Sequence, residues 1–276
     1  MISKINLPKI KNIIAIASGK GGVGKTTVTV NLALALQQQG ARVGIFDADV
    51  YGPNVPIMLG IHRRKAAKGF MPVARRADAA AYIEPLSRFG LKIMSIGLLV
   101  AENQVIDPAR SPDAVGQLVV QTLKDVLWGS LDYLLIDLPP SAGQPQASLL
   151  ARVPLQGVVI VTTPQDLSLL DASRSLLMFQ EADVPILGIV ENMSYFICPN
   201  CDEKHEIFQR SAQWRPSALA DVPLLGQIPL TTAVSQGINQ ANPLMHNNPD
   251  APQAKAFLAV TAALQQQLRG QNVTKP

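Results

Sequence analysis

Short apolar runs alternate with longer stretches of helical periodicity along most of the chain. "NIIAIAS" at residues 12–18 is a β-branched apolar run, "GKGGVGK" follows, and "TTVTVNLALALQQQG" repeats apolar residues at helical spacing until Gly40 stops it. This order of strand, glycine loop and helix opens a βαβ unit. Similar apolar runs recur as "ARVGIFDAD", "LKIMSIG", "DYLLIDLPP", "GVVIVTTP", "PILGIVENM" and "PLLGQIP", with helical patterns over 113–127, 165–182 and 253–269. Near-continuous apolar strands between helices predict a mainly parallel sheet covered on both faces. The expectation is one α/β domain over residues 1–276, with an N-terminal extension at 1–11. Residues 62–90 break the alternation: seven Lys or Arg stand against Asp78 and Glu84, which reads as a basic surface excursion with a strand or hairpin near "GFMPV".

Composition narrows the class. A chain of 276 residues, 47% of them hydrophobic, supports a substantial core. There is no apolar run of membrane-spanning length, and "MISKINLPKIKN" has neither the apolar core nor the small-residue cleavage site of a secretory signal, so a cytoplasmic protein without a membrane partner is expected. The net charge of +4 admits a polyanion, but aromatics at 5% leave few platforms for stacking on bases. The basic excess reads as solubility, and a nucleic-acid partner is not expected.

"GKGGVGKT" has P-loop spacing: Gly19, four residues, Gly24, Lys25, Thr26. The glycines Gly19, Gly21, Gly22 and Gly24, with Val23 between them, let backbone N–H groups wrap phosphates. Lys25 reaches the β and γ oxygens, the Thr26 hydroxyl ligates Mg²⁺, and Thr27 extends the loop into the helix. Asp137 ends an apolar strand where a Mg²⁺-holding carboxylate belongs. Asp47 and Asp49 follow another strand, and one of them is expected to face a γ-phosphate. Asn192, at the end of "PILGIVEN", offers an amide suited to an adenine edge, or equally a strand cap.

"KGGVGKTT" resembles the deviant Walker A motif of the MinD/ParA-like ATPases. The resemblance implies that Lys20 crosses a dimer interface to the partner's nucleotide, supplying positive charge to the transferring phosphoryl group. It implies Asp49 as the group that orients the attacking water, Asp47 near the metal, and ATP as the nucleotide.

The only cysteines are Cys198 and Cys201 in "CPNC", a spacing that places both sulfurs on one side of a turn around Pro199. A redox pair suits a thioredoxin-like fold poorly matched here. "C-x-x-C-x-x-x-H" offers Cys198, Cys201 and His205 to zinc. With the dimer that Lys20 implies, two chains would bring four thiolates together, the ligand set of a [4Fe-4S] cluster.

The strings "GKGGVGKTT", "DADVYGPNVP", "DYLLIDLPP", "VPLQGVVIVTTPQDLSLLDA", "GIVENMSYFICPNC" and "LLGQIPL" resemble, in order, the Mrp/ApbC family of iron-sulfur cluster carrier ATPases. The resemblance implies a homodimer that holds a labile cluster between Cys198 and Cys201 of two copies, uses ATP, and delivers the cluster to apo iron-sulfur proteins. Three departures stand out. Ser141 and Gln144 occupy "DLPPSAGQ" where the family has glycine and aspartate, "RSPD" at 110–113 replaces "RGPM", and "QRSAQWRP" replaces a glycine cluster. A Cβ at position 141 restricts the turn beside the γ-phosphate, so hydrolysis is expected to be slow. Two other functions fit fewer of these strings: a spatial organiser without metal cargo, and a zinc-stabilised dimer with a weak nucleotide site.

Overall fold

The structure is a computed structural model that describes residues 4–61, 73–75, 81–99, 112–140, 144–198, 200–201, 203–208 and 216–273. Ser141, Pro199, "GFMP", most of "QRSAQWRP" and the first half of "RSPD" lie outside the described residues. The strands are β1 (Ile10–Ala17), β2 (Val43–Asp47), β3 (Val73–Arg75), β4 (Ala81–Ile83), β5 (Leu86–Arg88), β6 (Leu91–Ser95), β7 (Leu131–Asp137), β8 (Gly157–Thr162), β9 (Ile186–Ile197), β10 (Lys204–His205) and β11 (Leu224–Leu230). The helices are α1 (Lys25–Gln38), α2 (Val55–Met58), α3 (Pro112–Asp125), α4 (Gln144–Arg152), α5 (Asp166–Glu181), α6 (Thr232–Asn239), α7 (Leu244–Asn247) and α8 (Pro252–Val273).

One sheet runs β10-β9-β8-β1-β7-β2-β6-β5, with β11 also on β9. Pairing is parallel from β6 through β2, β7, β1 and β8 to β9, and again from β9 to β11; β5 and β10 are antiparallel additions. The expected mainly parallel sheet is present. Within the basic excursion the strand expected near "GFMPV" is β3, which pairs with β4 in a separate two-stranded antiparallel sheet, and the structure adds β5, hairpinned onto β6. These strands are three residues each, too short for a period-2 signal to emerge.

Alternation along the strands divides the core between the two faces. Ile14, Ile16, Val159 and Val161 pack with Phe257, Val260 and Leu264 of α8 and the apolar residues of α1. Ile13, Ala15, Val158 and Ile160 point the other way, onto Val119 and Leu123 of α3, Leu149 of α4 and Leu176 and Phe179 of α5. Helix α1 is buried from Val28 through Leu36, because the sheet, α7 and α8 enclose it. Its end is a Schellman turn: Ala41 N–H donates to Leu36 O at 3.2 Å, Gly40 N–H to Gln37 O at 2.9 Å, and Gly40 takes φ 86.

Candidate functional site

The carboxyl ends of β1, β2 and β7 arrive level, since Asp137 pairs in register with both Ile16 and Asp47. Ligands of open α/β sheets bind at this edge. The chain leaves β1 straight into the glycine loop, where Gly22 and Gly24 both take φ 83, a left-handed conformation strained for any residue with a Cβ. Gly19 is required for a different reason: a Cβ there would stand 2.1 Å from the carbonyl carbon of Asp171, so only glycine lets the loop lie against α5. Helix α1 begins at Lys25 without a side-chain cap, leaving its first N–H groups and the positive end of its dipole for an anion. A cleft of about 640 Å³ opens there, lined by Lys20, Gly21, Gly22, Val23, Gly24, Lys25, Thr26 and Thr27 together with Asp49, Tyr51 and Met193. A groove of about 690 Å³ elsewhere, bounded by Leu177, Val184 and Pro223, holds none of these residues.

Asp137 is the polar centre beneath the cleft. Fully buried, it accepts from Thr26 Oγ1 at 2.7 Å and from Thr29 Oγ1 at 2.7 Å, and Lys25 Nζ stands 2.9 Å from Oδ1. An ammonium carries three N–H donors, so a contact with one carboxylate oxygen leaves others for phosphate oxygens. Sequence reasoning missed Thr29, although its place three residues after Thr26 on α1 sets both hydroxyls on one helix face.

Residues two apart on a strand share a face, but β2 ends at Asp47 and the chain turns there, so the two aspartates separate. Asp49 lines the cleft, and its Oδ1 accepts from the backbone of Tyr51 at 3.2 Å and Gly52 at 3.1 Å. Burial pushes its carboxyl above the usual range, with Lys25 opposing the shift. Asp47, expected near the metal, does not line the cleft. Its carboxylate accepts from Ser95 Oγ at 2.9 Å, Asp49 N–H at 3.2 Å and Val55 N–H at 3.3 Å, bracing the loop that carries Asp49. Burial, reinforced by the charge of Asp137, holds the Asp47 carboxyl well above the usual range.

Asn192, expected at an adenine edge or equally as a strand cap, has its partner within the chain. Its side-chain N–H donates to Val23 O at 2.9 Å, fixing the glycine loop from β9, and it does not line the cleft. The next residue, Met193, does line it, in a left-handed conformation at φ 53. Of β9, this sharp irregularity is the part that meets the nucleotide cleft.

The same strand runs on to the cysteines. β10 pairs with its end, Lys204 opposite Ile197 and His205 opposite Phe196, and Cys198 N–H donates to Glu203 O at 3.0 Å, closing a hairpin. Neither cysteine is in a disulfide; Cys198 is half-buried and Cys201 exposed. Among the described residues, the group whose ligand atoms converge within 4.8 Å is Cys201, Glu203 and His205. Sequence reasoning named Cys198, Cys201 and His205 and missed Glu203, whose signal was its place two residues before His205. No helix among the described residues is long and apolar enough to cross a membrane.

Comparison with known proteins agrees with this arrangement. The chain is 45% identical over 253 residues to an iron-sulfur cluster carrier protein of Synechocystis, covering 91% of this chain and 69% of the relative. A nucleotide-binding protein of Archaeoglobus fulgidus, solved in complex with ADP, superposes with a TM-score of 0.68 at 31% identity, covering 90% of this chain and 93% of that one. The septum site-determining protein MinD of Pyrococcus horikoshii, solved with Mg-ADP, gives 0.65 at 26% identity over 96% of this chain and 100% of that one. The family profile described as ParA, NUBPL iron-transfer P-loop NTPase, matches residues 9–265, and the chain belongs to that family.

Proposed function

We propose that this chain is an ATP-driven iron-sulfur cluster carrier: two copies hold one [4Fe-4S] cluster between Cys198 and Cys201 of each, and pass it to apo iron-sulfur proteins. The observation that carries this reading is one strand. β9 touches the phosphate loop through Asn192 and leads, beyond Ile197, to two cysteines outside any disulfide. The family, and the relative named as a cluster carrier, support it. One chain holds two thiols, and a cubane takes four. A two-fold dimer supplies them.

ATP binds in the cleft, its phosphates on the N–H groups of the loop from Gly19 to Thr27 and on Lys25. Mg²⁺ suits the oxygen donors Thr26 and Asp137 and would neutralise phosphate charge there. Asp49 orients the water that attacks the γ-phosphorus, and Lys20 acts on the partner's nucleotide. Exchange of ATP for ADP shifts the segment at 47–56, which Asp47 and Asp49 brace, and with it the distance between the cysteine pairs. Turnover is slow, and the whole reaction takes place in the cytoplasm.

Anaerobic reconstitution with iron and sulfide tests the proposal. About four iron atoms per dimer, and loss of the visible absorption in Cys198→Ser and in Cys201→Ser, are expected. Equal iron loading of strictly monomeric protein, or unchanged loading of either serine variant, removes the bridging cluster from consideration.

A further inference from the structure

The hairpin that carries the cysteines has a second ligand set, within one chain. Glu203 and His205 stand two apart at β10, where alternation places their side chains on one side, and Cys201 in the preceding turn brings its sulfur to the same group. Lys204 goes to the other side, where its ammonium stands 4.1 Å from the centre of the Tyr195 ring. The Cys201 sulfur, a Glu203 carboxylate oxygen and a His205 ring nitrogen lie within 4.8 Å of one another, and His205 Nε2 is 3.7 Å from Glu203 Oε2. Donors bound to one tetrahedral ion at bonds of about 2.0–2.3 Å stand about 3.3–3.8 Å apart. The three atoms are therefore within about one ångström of coordinating distance, and all three side chains are exposed, free to close the gap by rotation.

The donor types indicate which ion. One thiolate, one imidazole and one carboxylate match a borderline-soft divalent transition metal, whereas Mg²⁺ and Ca²⁺ take oxygen sets. Cys198 does not belong to this group. We infer that Cys201, Glu203 and His205 of a single protomer bind one divalent transition-metal ion, with the fourth position open to water. Because Cys201 is common to both, this ion and a bridging cluster exclude one another on the same hairpin.

Cluster-free full-length protein titrated anaerobically with Co²⁺ tests the assignment. The expected result is one Co²⁺ per chain at every protein concentration, with thiolate-to-cobalt absorption that disappears in Cys201→Ser. Glu203→Gln and His205→Gln each weaken binding about tenfold or more, while Cys198→Ser keeps both stoichiometry and absorption. Thermal unfolding of the four variants should match that of the parent, since the three ligands are exposed and Cys198 is half-buried. One Co²⁺ per two chains, loss of the absorption in Cys198→Ser, or unchanged affinity in both Glu203→Gln and His205→Gln overturns the assignment. Cluster loading is read independently, because it depends on Cys198 and not on Glu203 or His205.

Discussion

The side chain of Asn192 donates to the carbonyl of Val23 at 2.9 Å, across 169 residues of sequence. This bond joins the phosphate loop to β9, the strand that ends at the cysteine hairpin. It also occupies the space beside Gly24, where a Cβ would stand 2.2 Å from Asn192 Nδ2.

Asn192→Ala removes that bond and leaves a buried carbonyl unpaired, at a cost of about 1–3 kcal/mol. Nucleotide affinity, measured with a fluorescent ADP analogue, is expected to fall about five- to tenfold as the loop loosens. An unchanged Kd means that the bond does not hold the loop in its binding shape.

The glycines of the loop are not equivalent. Gly19→Ala forces a methyl group against the Asp171 backbone, which cannot yield as a flexible side chain can, and destabilises by about 1–3 kcal/mol or more. Gly21→Ala meets nothing within 4 Å and is expected to leave the midpoint of urea unfolding in place. Equal effects of the two substitutions contradict the close approach of the loop to α5.

The two lysines of the loop separate stability from turnover. Lys25→Ala abolishes ATP hydrolysis and strips Asp137 of its buried counter-charge, a change that costs about 3–5 kcal/mol when one partner of a buried pair is lost. Lys20, half-buried at the cleft, is expected to lower hydrolysis on Lys20→Ala while the unfolding midpoint stays put. In mixed dimers, one active site per dimer should recover when the other subunit retains Lys20. Failure of that complementation confines Lys20 to its own nucleotide.

Acid stability has a local source. Arg42 donates to Asp132 through its side chain at 3.1 Å and Lys11 Nζ stands 2.8 Å away, holding the Asp132 carboxyl well below the usual carboxylate range. A depressed folded-state pKa means that this stabilisation is complete above the unfolded value of about 3.9 and is lost as pH falls towards the folded one. The stability gap between parent and Asp132→Asn should be constant near neutral pH and shrink below about pH 4. Both basic side chains are largely exposed, so the gap is small. A gap that widens in acid reverses the assigned sign.

Local pattern was enough for much of this protein. Apolar runs and helical spacing predicted the parallel sheet and its flanking helices, because burial on both faces leaves few polar residues in a strand. The spacing from Gly19 to Thr26 announced the phosphate loop, since backbone wrapping of an anion is a property of neighbouring residues. The pair Cys198 and Cys201 was legible for the same reason.

Sheet register decided the rest. Thr29 meets Asp137 across 108 residues, Ser95 reaches Asp47 across 48, and Asn192 reaches the glycine loop across 169. Each of these contacts exists because strands distant in sequence end at the same level, which is a property of hydrogen-bonded pairing and not of any short string. The hairpin falls between the two cases: alternation aligns Glu203 with His205, but only the pairing of β10 with β9 folds that arm back and brings their ligand atoms, with the Cys201 sulfur, within reach of a single ion.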